Sequence, residues 1–166
     1  MGKELAVEQQ RPKQAPRAAK TPKKKDLKQR IADAHLHPIM VHFPNALFPV
    51  TLVLLGLYYF TKDASFEQAS FYTMIFGLLG APGAVATGLF SWKTRFRGNI
   101  TRIFVEKMIW SSVLLILATT SVLLRAFIPD IAYQQGILSW GYVSLVASLT
   151  LLVVRLGFLG GKLVFF

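Results

Sequence analysis

Four apolar windows, each long enough to cross a bilayer, constrain this chain more than any other feature. They run from Ile39 to Phe60, from about Phe71 to Trp92, from Met108 to about Leu124, and from Ile137 to about Leu159. A helix rises 1.5 Å per residue, so about 20 residues cover a hydrocarbon core of about 30 Å. Soluble core helices are rarely so long and so uniformly apolar. Only 16% of the 166 residues are charged, against about 25% in an ordinary soluble domain. The expected fold is all-α: a four-helix transmembrane bundle over residues 35–166, preceded by a disordered basic N-terminal tail.

That tail, residues 1–34, opens "MGKELAVEQQRPKQAPRAAKTPKKKDLKQR" and carries ten of the chain's 19 Lys and Arg within its first thirty residues. Pro12, Pro16 and Pro22 interrupt it and no aromatic residue occurs in those thirty. Such a segment buries too little apolar surface to offset its ordering entropy, so residues 1–30 read as largely disordered. It has no continuous apolar stretch, which argues against a cleavable secretory signal. Anionic lipid beside the membrane is its expected partner, at about 1 kcal/mol per nearby cation. Nucleic acid is not expected, because no aromatic groups interleave the charges.

Charge also predicts orientation. The successive ends and connections hold ten, one, five, one and two cations. The five are Lys93, Arg95, Arg97, Arg102 and Lys107. Cytoplasmic loops collect Lys and Arg, so both termini are expected in the cytoplasm. Cysteine is absent, which removes disulfides, thiolate clusters and covalent haem attachment from consideration.

In the second window, Gly80, Ala84 and Gly88 recur every fourth residue, with Gly77 one turn earlier. Small residues at that spacing let helix backbones approach closely. The fourth window offers a comparable face in Gly141, Ser144 and Ser148. Tight packing within the chain and a homodimer seam are both readings of these faces. Pro82 is expected to kink the second helix. Arg125 and Arg155 lie near window ends and read as snorkelling to the headgroups. No charged residue stands near the middle of any window, which weakens the case for an ion-coupled transporter.

The stretch "HPIMVHFP", residues 37 to 44, is the other feature that asks for chemistry. Pro38 suits a first helical turn, where its missing N–H is no loss. An electropositive helix start favours the neutral imidazole that binds metal or haem. The spacing is poor for chelation, however. A single helix grips a metal through i,i+4 histidines, whereas His37 and His42 are five apart and His35 and His42 seven. His42 and His37 are therefore candidate cofactor ligands, with His35 behind them. The bland alternative is a hydrogen-bonded interfacial histidine that shapes the helix start. A second ligand would have to come from Met74, Met108, Lys107 or a second subunit.

Taken together, "HPIMVHFP" opening the first helix, "TGLFSWK" closing the second and "GFLGGKLVFF" after the fourth resemble the domain of unknown function family 2231, small four-helix membrane proteins of bacteria and archaea. The resemblance covers about Leu36 to Phe166 and rests on His37, Pro38, His42, Pro44, Gly88, Trp92, Gly160 and Gly161. It implies a bacterial or archaeal cell (inner) membrane and a link to membrane electron transfer. Many members carry a histidine near the start of the third helix, where this chain has Lys107 in "VEKMIW". That departure weighs against bis-histidine haem and leaves a quinone site, a one-histidine site or no cofactor.

Topology alone gathers His42, Trp92, Glu106, Lys107, Gly160 and Gly161 at the cytoplasmic end of such a bundle. The leading expectation is a redox-chain-associated component binding haem b or quinone there through His42, His37, Trp92, Lys107, Gly160 and Gly161, with a membrane redox partner or a homo-oligomer around it. A non-catalytic scaffold or accessory subunit is the rival, and a small-molecule transporter the third reading. No catalytic residue is expected: the chain shows no nucleophile–base pair, deep carboxylate dyad or phosphate-cradling loop.

Overall fold

The computed structural model describes residues 36–134 and 136–165; the expectation of a disordered tail over residues 1–34 lies outside them, as does His35. Within them the chain forms four helices: α1 Leu36–Thr61, α2 Ala64–Arg95, α3 Arg102–Phe127 and α4 Ile137–Phe165. All four are long and apolar enough to cross a membrane. The fold is the expected four-helix transmembrane bundle. Both α2 and α3 begin six or seven residues earlier than their apolar windows, because amphipathic turns extend the helices beyond the greasy core.

The helices close a ring in chain order, with α4 returning to α1, and the α1–α2 seam is by far the most intimate. Its cause is the small-residue face of α2. A side chain at Gly77 would meet the Phe48 ring at 3.1 Å, and one at Gly80 would meet Phe43 Cβ at 2.9 Å. Glycine is what lets the two backbones lie this close. Ser70 adds a bond across the seam, donating to the Thr51 carbonyl at 2.9 Å. The fourth helix behaves differently. Space around Gly141 is open and Ser144 is exposed, so these two residues take no part in packing within the chain, while Ser148 is half-buried. α4 joins the bundle instead through Tyr142, Val146, Leu149 and Val153, all buried.

Pro44 and Pro49 lie inside α1 and Pro82 inside α2, and each helix continues past them. Outward positions are as apolar as the core: Val53, Leu79, Ile116 and Leu151 are each more than 60% exposed. Bare aliphatic surface on every helix is what lipid requires and water penalises.

Short connections fix the order of the ring. Only Lys62 and Asp63 separate α1 from α2. Lys62 takes a left-handed φ of 59° and its N–H donates to the Tyr58 carbonyl at 2.8 Å, closing α1. Asp63 caps α2 by accepting from the Ser65 N–H at 2.9 Å, and that bond holds its carboxyl below the usual range. Residues 96–101 join α2 to α3 through Arg97 and Gly98, both at positive φ. In the last connection, Ile131 and Ala132 fold back as a buried plug over the bundle.

Candidate functional site

Two polar constellations sit at opposite ends of the bundle. One holds the histidines; the other is built on a buried carboxylate, Glu67.

At the first end, α1 starts, α2 finishes, α3 starts and α4 finishes. His37 lies in the first turn of α1, its ring seated on Gly88 of α2, where an added Cβ would stand 3.0 Å from Cε1. His37 Nδ1 lies 3.1 Å from the Ala84 carbonyl oxygen and 3.3 Å from Thr87 Oγ1. A carbonyl only accepts, so Nδ1 carries a proton; the neutral ring then keeps a bare lone pair on Nε2. Lys107 is half-buried in the second turn of α3, at the same end of the bundle. Its Nζ stands 3.7 Å from where a Cβ on Gly160 of α4 would be, so glycine leaves the ammonium room against the α4 backbone. His37 on Gly88 and Lys107 beside Gly160 thus make two pairs at one end of the bundle, drawn from four different helices.

The other candidates do not join them. His42 is exposed and donates from Nδ1 to the Pro38 carbonyl of its own helix. Five residues on a helix turn it well away from His37. Trp92 is half-buried and donates its indole N–H to the Asn99 carbonyl at 2.9 Å while its ring packs on Phe104, so it braces the α2–α3 turn. Space around Gly161 is open. Glu106 pairs with Arg102 at 3.1 Å and Arg155 at 3.6 Å. Among the described residues, no group of three or more His, Asp or Glu could hold a metal ion.

At the opposite end, Glu67 occupies the first turn of α2 with only 1% of its side chain exposed. Arg125, in the last turn of α3, clasps it with two bonds: Nε donates to Oε1, and Nη2 to Oε2 at 2.7 Å. The snorkelling expected of Arg125 is therefore wrong. Its guanidinium turns inward because Glu67 offers a bidentate partner, and its planar face lies 5.2 Å from the Phe71 ring centre. Tyr133, from the α3–α4 connection, donates to Glu67 Oε2 at 3.1 Å. Beside it, Tyr59 reaches the Ala132 carbonyl at 3.2 Å and Ser139 Oγ at 2.6 Å. No buried side-chain polar atom lacks a partner among the described residues. Each buried polar atom here has a partner within the fold, so this network reads as a clasp. The one sequence signal for it was a carboxylate four residues after the helix-capping Asp63, in the first turn of α2.

A family model described as "Predicted membrane protein (DUF2231)" matches residues 34–166. No curated protein and no solved structure matches the chain.

Proposed function

The chain belongs to the DUF2231 family of predicted membrane proteins, and on that footing we propose that it is a redox-chain-associated membrane component that binds a quinone headgroup between His37 and Lys107. The observation that supports this reading is the placement, at one end of the bundle, of an imidazole on α1 seated on Gly88 with Nδ1 bonded to the Ala84 carbonyl and an ammonium on α3 beside the Gly160 backbone. The two groups have opposite hydrogen-bonding sense. An ammonium donates to a quinone carbonyl, and Nε2 accepts from the hydroxyl of the reduced quinol. One pair of side chains could therefore hold both redox states at a single position. The charge pattern supports a cytoplasmic location for this end and for both termini, in a bacterial or archaeal inner membrane.

Haem b fits less well. The two described histidines share one helix and diverge, so a haem here would have a single protein imidazole. The accessory-scaffold reading has its own support: His37 Nδ1 and the glycines of α2 all serve the α1–α2 seam.

The test is the quinone content of the detergent-purified full chain, with a reduced-minus-oxidised absorption spectrum alongside. Co-purified quinone is expected, lost in His37→Ala and Lys107→Ala and retained in His42→Ala. A Soret band would move the assignment to haem. No quinone and no Soret band would leave the scaffold reading standing.

A further inference from the structure

On the same end of the bundle, a groove separate from the His37–Lys107 pair runs between α3 and α4. It is a half-open depression of about 330 Å³, lined by Arg102, Ile103 and Glu106 from α3 and by Arg155, Phe158 and Lys162 from α4. The spacing explains it. Positions 102, 103 and 106 form one stripe of α3, and 155, 158 and 162 form one stripe of α4, each a turn apart. Neither Lys107 nor His37 lines it.

We infer that this groove holds the phosphate of one anionic phospholipid, with the acyl chains leaving along Phe158 toward the bilayer. Charge is the first ground. Three cations face one carboxylate, and Glu106 is already shared between Arg102 at 3.1 Å and Arg155 at 3.6 Å. A surplus of two positive charges remains, and the single negative charge of a phosphodiester offsets part of it. Position is the second ground. These residues occupy the ends of α3 and α4, where a membrane-spanning helix meets the headgroup layer. Shape and polarity are the third. Lys162 Nζ lies 4.8 Å from the Phe158 ring centre, so the ammonium is held over an apolar face that continues into the span. A free anion has no use for Phe158 or Ile103, whereas a diacyl lipid covers both. A zwitterionic lipid brings its own ammonium into the cationic rim, and this disfavours it.

The experiment is native mass spectrometry of the full chain in detergent, titrated separately with phosphatidylglycerol, phosphatidylcholine and inorganic phosphate. A single phosphatidylglycerol adduct is expected, with phosphatidylcholine bound far more weakly. Lys162→Gln should weaken the adduct about fivefold, the effect of about one surface cation. Lys162→Arg should restore it. Arg155→Gln is the second variant, since both residues are more than half exposed or solvent-facing and their loss leaves the core intact. Neutralising Lys23, Lys24 and Lys25 in the tail should leave this adduct in place. The inference fails if the groove variants bind as the natural chain does, if the tail variant alone abolishes the adduct, or if phosphatidylcholine binds equally. Displacement by millimolar inorganic phosphate would also overturn it, by reassigning the groove to a free anion.

Discussion

Glu67 and Arg125, 58 residues apart in sequence, meet as a two-pronged ion pair between the first turn of α2 and the last turn of α3. Side-chain exposure is 1% for the carboxylate and 13% for the guanidinium. Removing one partner strands a buried charge, at about 3–5 kcal/mol. Glu67→Ala and Arg125→Ala should each lower the melting temperature sharply in detergent. The double change Glu67→Leu with Arg125→Met should cost less than either alone, because no charge is left unpaired. Circular dichroism melts of the three variants check this, and simple additivity would contradict it.

Tyr133 extends that clasp from the α3–α4 connection and gives it an alkaline limit. Burial, then the neighbouring Glu67 charge, pushes its phenol above the ordinary value. The folded chain therefore keeps this proton at a pH where the unfolded chain has lost it. The stability linked to it is fully present below about pH 10, the unfolded phenol's value, and is lost as pH rises through the higher folded value. Tyr133→Phe should flatten the fall of melting temperature above about pH 10. An identical alkaline slope in the variant would show that another group governs it.

The α1–α2 seam should rank its glycines by what each faces. An added methyl at Gly80 meets Phe43 Cβ at 2.9 Å, an atom tied to the α1 backbone. At Gly83 it meets Met40 Cε, the free end of a flexible side chain. Gly80→Ala is expected to cost about 1–3 kcal/mol as an overpacked contact, and Gly83→Ala less. Gly141→Ala and Gly56→Ala enter open space and should be neutral or stabilising by up to about 1 kcal/mol. Thermal melts of the four variants test this order.

His37 and His42 should part company in stability as well as in ligand binding. His37 ties α1 to α2 through the Ala84 carbonyl, and its ring fills the space over Gly88. Losing such a bond costs about 0.5–1.5 kcal/mol, the Ala84 carbonyl keeping Thr87 Oγ1 as a donor at 3.1 Å. His42 is exposed and bonded only within α1, so His42→Ala should stay within about 0.5 kcal/mol. Equal melting temperatures for the two alanine variants would contradict this assignment.

Much of the site was legible because it depends on chain order. Four spans with short connections put His37, Trp92, Lys107 and Gly160 at one end whatever their rotation about the helix axes. The four-residue spacing of Gly80, Ala84 and Gly88 likewise announced a close seam. Rotation was not legible. In a water-soluble helix the polar face points outward and reveals the buried one, but these helices are apolar on all sides, as exposed Leu79 and Leu151 show. So the sequence did not tell that His37 rather than His42 bonds to α2, nor that Gly141 faces open space.

Length, hydropathy and charge alternation determined by themselves that this chain makes four membrane-spanning helices, since lipid leaves a long apolar segment no other way to satisfy its backbone. Tertiary structure alone decided which polar groups face one another. Arg125 looked like a headgroup anchor, because the desolvation of its guanidinium and of the Glu67 carboxylate is tolerable only when each has the other. That mutual condition is a property of two helices in contact, and neither helix carries it alone.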